Sequence, residues 1–353
     1  MRRVYLIRHG HPDFPLGAHV CLGRTDTPLG PLGRMQAVLL GEALAERRLA
    51  VFSSPLRRCR ETAAALGGEA VLLPALAEQD MGPWDGLDFT EIRQRWPALY
   101  ARRGSEPLLV PPGAETLAQV QARALPALRA CLDSGTGDLA LVAHASVIQA
   151  LLAELCGVPL EESRPLRIPY ASCAALVRDG NALRLERAAD RPCPPLTPAL
   201  AEKLLAAAAP GERVAAHCRA VAAEALRIAA ALPAAYDETL LACAALLHDA
   251  ARGEREHARL AAAWLRELGY GAAAALVEQH HDWRGEALDE AAILYLADKC
   301  VREDCRVPLA QRFAGSGERC RTPEARAAHA ARYERALQLQ AQVNGLCGKT
   351  VII

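Results

Sequence analysis

Short apolar runs alternate with helical patterns along the first half of the chain. The runs lie at residues 4–7, 51–53 and 139–143, and a helical pattern follows each of them. Residues 116–132 give a clear example, because their apolar side chains recur every three or four positions. Strands that end just before helices are typical of a mainly parallel sheet, with its functional site at the carboxyl ends of the strands.

The composition changes near residue 190. Residues 190–198 contain four prolines, which can continue neither a helix nor a central strand, so this segment predicts a stiff linker. Beyond it, the chain is rich in alanine and leucine with helical periodicity throughout. We therefore predict a first domain at residues 1–189, a proline-rich linker at 190–198 and an all-α domain at 199–353.

Length and charge narrow the class of protein. The chain has 353 residues, of which 52% are hydrophobic, so it is long enough for two domains with buried cores. Its 41 basic residues equal its 41 acidic residues, and the balance holds on both sides of the proline-rich segment. Because neither part is basic, we expect no nucleic-acid partner and no binding to an anionic membrane surface.

The sequence also predicts a location. Its longest apolar stretch, residues 139–153, contains polar side chains and is too short to cross a bilayer. The amino-terminal residues predict a strand rather than a signal peptide. The 12 cysteines are scattered without a C-x-x-C pair, which favours reduced thiols in a cytoplasm over disulfides or a cysteine zinc site.

The first group of candidate functional residues begins at Arg8 and His9, directly after the first predicted strand. Gly10 permits a tight turn there, so both side chains would project from the strand end into a cleft. On their own, these three residues are typical of an ordinary turn at the end of a strand. Further segments follow in order at residues 23–29, 53–63, 78–86, 113–116 and 141–145.

This ordered set resembles the histidine phosphatase superfamily over about residues 1–187. The resemblance implies a three-layer α/β domain of the phosphoglycerate-mutase-like fold, with a mainly parallel sheet and no metal. It implies that His9 is the nucleophile and forms a phosphohistidine, which splits hydrolysis into two easier displacements. Glu78 would protonate the leaving oxygen and then accept a proton from water.

The same resemblance implies roles for residues around the phosphoryl group. Fixed donors would stabilise the charge that spreads over its oxygens in the transition state. These donors are Arg8, Arg58 and His144, and the further residues implied to contact substrate are Arg24, Thr25 and Ala145. His11 is left open between the cleft entrance and an inert surface position.

Neighbouring residues compete for two of these roles. Arg57 and Arg60 are alternatives to Arg58, which the family pattern favours because it lies four residues after a serine. Asp80 is an alternative to Glu78, although it is better explained as a polar residue of the loop. Both choices rest on the family pattern.

The spacing of the motifs helps to distinguish a phosphatase from a mutase. Glu78 and His144 lie only 66 positions apart, whereas the classical mutases carry a longer insertion there. The compact form resembles the broad phosphatase branch, which includes the α-ribazole phosphatases. We therefore expect a phosphatase acting on a small phosphorylated metabolite or nucleotide. A phosphoglycerate-mutase-type isomerase is the alternative.

A second group of candidate residues lies in the helical half. His248 and Asp249 end an apolar helix, where a buried pair is costly unless it binds something. His217 precedes the pair and Asp298 follows it. This order resembles the HD superfamily of metal-dependent phosphohydrolases over about residues 210–312. It implies Mn, Fe, Co, Ni or Mg as the divalent cofactor.

Two further histidines extend this pattern. His257 begins a predicted helix and His280 ends another, which gives enough ligands for one or two ions. For His257 a metal ligand is favoured, and a surface histidine at the helix start is the alternative. The extended pattern is similar to bacterial HD hydrolases of diadenosine tetraphosphate. His281 is left open as an additional ligand or a phosphate-binding neighbour. For Lys299, a solvated lysine is favoured over a phosphate contact. The expected metal ligands are His217, His248, Asp249, His257, His280 and Asp298.

Together the two patterns predict a bifunctional phosphohydrolase. A different interpretation is a phosphatase that is regulated by a nucleotide-sensing HD domain. The last predicted helix, residues 323–345, is expected to pack on the HD bundle, and a homodimer interface there is left open.

Overall fold

The computed structural model describes residues 2–353 apart from residues 104, 107, 136, 181 and 319. Its backbone divides into two compact units between Pro194 and Pro195, within the proline-rich segment. Residues up to Pro194 form the N-terminal unit, and Pro195–Ile353 form the C-terminal unit. The expected boundaries at 189/190 and 198/199 stay a prediction.

A mixed sheet forms the centre of the N-terminal unit. Its strands are β1 (Arg2–Arg8), β2 (Ala50–Ser53), β3 (Val71–Leu72), β4 (Leu139–Ala143), β5 (Cys173–Asp179) and β6 (Ala182–Asp190). Their order among the described residues is β3-β2-β4-β1-β5-β6. The pairings from β3 to β1 are parallel, and those of β5 with β1 and β6 are antiparallel. The predicted mainly parallel sheet is confirmed.

Helices α1 (Pro31–Leu44) and α2 (Arg57–Ala64) pack on one face of this sheet, and α5 (Leu117–Asp133) and α6 (Ala145–Leu155) pack on the other. Two shorter helices, α3 (Phe89–Arg95) and α4 (Pro97–Arg102), pack with Cys21 and Trp84 in a separate small cluster. The start of α5 is fixed by a capping box, in which Thr116 and Gln119 each bond to the other's backbone. Single 3₁₀ turns lie at Pro74–Leu76, Gly82–Trp84, Leu160–Glu162 and Arg164–Leu166.

Alternation along β1 produces the three layers. Val4 and Leu6 belong to the core cluster that includes residues of α5 and α6. Tyr5 and Ile7 point to the other face and belong to the cluster that includes residues of α1 and α2. Because both faces are buried, the predicted three-layer arrangement is confirmed.

The register of β1 with β4 brings two of the candidate histidines to one edge of the sheet. Arg8 is opposite Ala143 in the parallel pair, and the next N–H, of His9, donates to the Ala143 carbonyl over 3.1 Å. His144 directly follows Ala143. A side chain at Gly10 would not fit, because a Cβ there would lie 2.5 Å from the Gly33 carbonyl oxygen.

The C-terminal unit is helical. Its helices are α7 (Pro198–Ala208), α8 (Glu212–Ala231), α9 (Glu238–Leu247), α10 (His257–Glu267), α11 (Gly271–Gln279), α12 (Glu290–Cys300), α13 (Leu309–Gly317) and α14 (Pro323–Cys347). A small hairpin pairs β7 (Val301–Arg302) with β8 (Cys305–Arg306). Of the described helices, none has the length and apolar character needed to cross a membrane.

Two apolar helices form the centre of this unit. Residues 241–247 of α9 and 291–300 of α12 are all buried. A helix that is apolar around its whole circumference belongs in a core. Helix α14 packs against α12, where the Tyr295 hydroxyl donates to the Arg332 carbonyl over 2.7 Å. The charged residues at the ends of α9 and α12 are therefore buried and need partners.

Candidate active site and candidate metal centre

His9 is held in one orientation and in one protonation state. Its side chain is 3% exposed, and Nδ1 donates to the Gly10 carbonyl over 2.7 Å, which leaves the lone pair on Nε2. Burial, followed by the positive charges of Arg58 and Arg8, holds the pKa of His9 well below its usual value. The imidazole is therefore neutral near pH 7, as a nucleophile must be.

Arg58 lies directly beside this nitrogen. Its Nε is 3.2 Å from His9 Nε2, and its two other nitrogens donate to the carbonyls of Thr25 and Gly23 over 2.8 and 2.7 Å. The 23–25 loop is held in turn by Asp85, whose carboxylate accepts the Gly23 and Thr25 amides over 2.7 and 2.8 Å. Sequence reasoning missed this role of Asp85.

The two competing arginines point elsewhere. Arg57 pairs with Glu61 over 2.7 Å and has a half-exposed side chain, and Arg60 is exposed. On α2 the buried positions are 58, 59, 62 and 63, which form a single face. Of the three arginines, it is Arg58 that this face turns toward His9.

Arg8 approaches the same region from the end of β1. It donates to the Ile168 carbonyl over 2.8 Å, and its guanidinium carbon lies 3.8 Å from the centre of the Tyr170 ring. Its buried Nε makes no hydrogen bond within the described residues, and burial lowers the pKa of Arg8. Tyr170, which also lies beside the His9 ring at 5.4 Å, was not found from the sequence.

His144 faces His9 from the end of β4. It is fully buried, and the two imidazole rings are 5.0 Å apart between centres. Its Nε2 lies 2.8 Å from Ser54 Oγ and 3.3 Å from Cys59 Sγ. Burial, with the charge of Arg58, holds the pKa of His144 well below its usual value.

A cavity of about 500 Å³ opens beside these residues. Of the expected site residues, Arg8, Glu78 and Ala145 line it. Glu78 is buried, and its carboxylate accepts the Gln79 amide over 2.9 Å. Further lining residues that sequence reasoning missed include Arg103, Ser146, Gln149, Arg164, Arg167 and Tyr170.

Arg24 and Thr25 are not among the cavity-lining residues. Arg24 is half exposed and lies 3.5 Å from Glu115 and 3.9 Å from Asp80. Thr25 contributes its backbone, as the carbonyl that accepts from Arg58. The expected substrate contacts of these two residues stay a prediction. The choice of Glu78 over Asp80 as the proton donor likewise stays a prediction.

The expected metal ligands come together in the C-terminal unit. Three of the histidines share one feature, since each Nδ1 donates to a backbone carbonyl over 2.7 Å. The pairs are His217 with Glu303, His248 with Ala245, and His280 with Val277. A fixed Nδ1–H orients the opposite nitrogen, Nε2, toward a metal.

Asp249 lies at the centre of this cluster. Its carboxylate is 3.1 Å from His257 Nε2 and 3.6 Å from His280 Nε2. Asp249 belongs to two sets of potential ligand atoms, and within each set all the atoms lie within 4.8 Å of one another. The first set is Asp249, His257, His280 and His281, and the second is His217, His248 and Asp249. Although burial would raise it, the pKa of Asp249 is held well below its usual value by His248 and His257.

The donor set fits a divalent metal. The Nε2 atoms of His248 and His280 are fully buried and have no hydrogen-bond partner among the described residues, although such atoms are costly without one. Burial lowers the pKa of His248 to about 4, so this nitrogen carries a lone pair near pH 7. Imidazole and carboxylate ligands together suit first-row divalent metals.

Asp298, Lys299 and His281 complete the cluster. One Asp298 oxygen lies 3.1 Å from His217 Nε2 and the other lies 2.5 Å from Lys299 Nζ. Lys299 is buried and also donates to the His280 carbonyl over 3.1 Å, so its interpretation as a solvated lysine is wrong. His281 Nε2 is 2.8 Å from His257 Nε2, and burial lowers the pKa of His281 to about 2.

Known families match both units. Residues 4–191 match the family model of the histidine phosphatase superfamily (branch 1), and residues 214–303 match that of the HD domain. Both matches confirm the resemblances stated from the sequence.

Known proteins that are similar in sequence match about half of the chain. Glucosyl-3-phosphoglycerate phosphatase of Mycolicibacterium vanbaalenii is 34% identical over 174 residues, which are 46% of this chain and 77% of that protein. Acid phosphatase of Mycobacterium tuberculosis is 34% identical over 178 residues, 48% of this chain and 83% of that protein. The solved structure titled "Mycobacterial hydrolase 1" is 30% identical with a TM-score of 0.50, covering 54% of this chain and 99% of that one.

Proposed function

This chain belongs to the histidine phosphatase superfamily, and on that premise we propose that it hydrolyses phosphomonoesters through a phosphohistidine at His9. The observation that carries the proposal is the state of His9. It is buried and neutral, its Nδ1 is held by the Gly10 carbonyl, and its Nε2 lies beside Arg58. A nucleophile with these properties needs no base to activate it.

The reaction would proceed in two displacements. In the first, His9 Nε2 attacks phosphorus, the bond from phosphorus to the leaving oxygen breaks, and Glu78 gives that oxygen a proton. In the second, water attacks the phosphohistidine, Glu78 takes the proton of the water, and the bond between phosphorus and His9 breaks. The products are an alcohol and inorganic phosphate, and both residues return to their starting states.

Two guanidinium groups and a second imidazole would stabilise the transferring phosphoryl group. Arg58 and Arg8 supply positive charge beside His9, and the His144 ring lies 5.0 Å from the His9 ring between centres. Such fixed donors are most effective in a site that excludes water. Because the whole chain has no net charge, this local charge would also supply the attraction for phosphate.

The substrate of this site would be a small phosphorylated metabolite or nucleotide. The relatives named above, one of them a glucosyl-3-phosphoglycerate phosphatase, support this class, and the cavity of about 500 Å³ exceeds the size of a phosphate ion. We favour hydrolysis over mutase chemistry because only 66 positions separate Glu78 from His144, whereas the classical mutases carry a longer insertion there.

We further propose that the C-terminal unit is a metal-dependent phosphohydrolase for a nucleotide-like phosphoester or phosphoanhydride. The unpartnered Nε2 atoms of His248 and His280 support this activity, and so does the HD-domain match. The chemistry supplied by a bound divalent metal is Lewis-acid polarisation of phosphoryl oxygens and acidification of water. The residues that would hold it are His217, His248, Asp249, His257, His280 and Asp298.

One experiment separates these activities. Phosphate release from p-nitrophenyl phosphate is measured with and without EDTA, and so are the products formed from a panel of nucleotides, including diadenosine tetraphosphate, after separation by chromatography. The enzymes are the wild type, His9→Ala and Asp249→Ala. We expect aryl phosphate hydrolysis to survive EDTA and to require His9, and nucleotide hydrolysis to require added Mn²⁺ or Mg²⁺ and Asp249.

Other outcomes identify the alternatives. If EDTA abolishes all activity, the proposal of a phosphohistidine is wrong. If Asp249→Ala changes only how nucleotides affect aryl phosphate hydrolysis, the C-terminal unit is a sensor. Phosphate transfer within 3-phosphoglycerate, faster than its hydrolysis, would identify a mutase. We also propose a cytoplasmic location, which the free state of all 12 cysteines supports.

A further inference from the structure

Three arginines line the cavity beside the proposed phosphate site. Arg103, Arg164 and Arg167 line the same cavity as Arg8 and Glu78. Within the described part of the chain, no carboxylate lies close enough to any of these three arginines to form an ion pair, and Glu78 is the only acidic residue in the cavity wall. Four arginines therefore face one carboxylate in a chain with no net charge.

The turn that carries Arg164 and Arg167 is built into the fold. Gln149 of α6, itself a buried lining residue, donates to Ser163 Oγ over 2.8 Å, and the Ser163 hydroxyl donates to the Leu160 carbonyl over 2.7 Å. Ser163 is fully buried directly before Arg164. The polar core of this turn therefore fixes the backbone from which both arginines extend.

The same turn connects to the proposed phosphate site. Directly after Arg167, the Ile168 carbonyl accepts the hydrogen bond from Arg8. The positive charge of Arg167 is close enough to lower the pKa of Arg8. Arg167 therefore lies within electrostatic reach of the proposed phosphate contact.

Arg103 approaches from the end of α4, with its guanidinium carbon 4.7 Å from the centre of the Phe89 ring. Burial, followed by the charge of Arg167, lowers the pKa of Arg103. Arg164 contributes in the same direction. The three cations therefore repel one another, and an anion bound among them would relieve that repulsion.

We propose that Arg103, Arg164 and Arg167 bind a second anionic group of the substrate, a carboxylate or a further phosphate. The inference rests on the proposed phosphatase function and defines its substrate class: phosphomonoesters that carry another negative group. Guanidinium groups suit this role because they hold carboxylate or phosphate oxygens in pairs. Leu108, Leu109 and Val110 give the cavity an apolar wall for the carbon skeleton between the two anionic groups.

The test compares matched substrates. The ratio of kcat/KM for 3-phosphoglycerate to that for glycerol 3-phosphate measures how much a carboxylate on the substrate raises kcat/KM. The ratio of kcat/KM for fructose 1,6-bisphosphate to that for fructose 6-phosphate measures how much a second phosphate raises kcat/KM. We expect the wild-type enzyme to favour the doubly anionic member of at least one pair about tenfold or more, because hydrogen bonds between charged groups are stronger than those between neutral ones.

Variants locate this preference. Arg167→Gln and Arg103→Gln are each expected to lower the preferred ratio about tenfold, whereas Arg129→Gln, at an exposed position on α5, is the matched control and should keep it. A ratio compares two substrates on one preparation, so partial unfolding of a variant cancels.

The outcomes distinguish the inference from the proposed function. If wild-type ratios are near one for both pairs, or unchanged in both arginine variants, while phosphate release still depends on His9, the anion site is wrong and the phosphatase stands. If no phosphate release depends on His9 for any substrate, including p-nitrophenyl phosphate, the proposed function itself is wrong.

Discussion

The two candidate sites hold their histidines in the same way and surround them with opposite charges. At His9 in the N-terminal unit, and at His248 and His280 in the C-terminal unit, Nδ1 donates to a backbone carbonyl over 2.7 Å. In each case this contact leaves the lone pair on Nε2, which at His9 accepts a hydrogen bond from Arg58 Nε. Burial also keeps His9 and His248 neutral by lowering their pKa values.

The charged residues around these histidines differ between the two sites. Arg8 and Arg58 lie around His9, whereas Asp249 and Asp298 lie 3.7 and 3.8 Å from His248 Nε2. Cations around a neutral imidazole attract an anionic phosphoryl group and favour nucleophilic attack on it. Carboxylates around the same group attract a metal cation. The charge of the neighbours, rather than the imidazole itself, thus separates a proposed nucleophile from a proposed metal ligand.

The strongest test of this distinction is His9→Ala. If His9 is the nucleophile, aryl phosphate hydrolysis should fall about 10⁴-fold or more. Quenching at alkaline pH, at which phosphohistidine survives, should trap radiolabelled phosphoenzyme from the wild type and none from His9→Ala. The matched control is His19→Ala, which changes an exposed histidine of the same unit and should retain the wild-type rate. Activity within about tenfold of the wild type would place the nucleophile elsewhere.

Asp249→Ala addresses the other site. Both sets of potential ligand atoms include Asp249, so we expect bound Mn²⁺ per chain to fall toward zero and metal-dependent hydrolysis to fall about 10³-fold. Metal content after dialysis measures the first effect, and nucleotide hydrolysis, followed by chromatography of the products, measures the second. Glu334→Ala, at an exposed carboxylate on α14, is the control. Full metal content in Asp249→Ala would contradict the assigned centre.

A smaller effect decides the role of His281. Its Nε2 belongs to the set with Asp249, His257 and His280, so His281→Ala should weaken binding of one ion about 10- to 100-fold. Calorimetric titration of Mn²⁺ into chelator-treated protein measures this change. His329→Ala replaces a histidine of the same unit that bonds to Ser316 Oγ over 2.8 Å. Equal affinities for the two variants would exclude His281 as a ligand.

The smallest effect concerns pH. Because the positive charge of Arg58 contributes to lowering the pKa of His9, Arg58→Gln should raise that pKa. His9 would then take up a proton at a higher pH, so the acid limb of kcat/KM for p-nitrophenyl phosphate should move to higher pH. Arg60→Gln, at an exposed position of the same helix, should leave the limb in place. Coincident profiles would show that Arg58 does not control this protonation.

Sequence patterns anticipated most of the architecture. Apolar runs and helical spacing depend on neighbouring positions, so they predicted the strands around residues 4–7 and 139–143 and the helix after Thr116. Because parallel strands end at one edge of a sheet, residues after two such strands, His9 and His144, were expected to meet, and their rings lie 5.0 Å apart.

Other features had no local signal. Lys299 follows an expected ligand in the sequence, yet its burial depends on the packing of α12 and on its contact with the His280 carbonyl. Arg103 and Arg167 belong to segments without a recognisable pattern, and the fold brings both to one cavity. The role of Asp85, which holds the 23–25 loop, depends likewise on a contact distant in the sequence.

The sequence by itself determined the two families, the mainly parallel sheet and the helical second half, because these follow from motif order and local periodicity. Tertiary structure decided which of three neighbouring arginines lies beside His9, how the histidine rings are oriented, and which charges surround each of them. Orientation and charge environment are sums over residues far apart in the chain, so only the folded backbone brings them together.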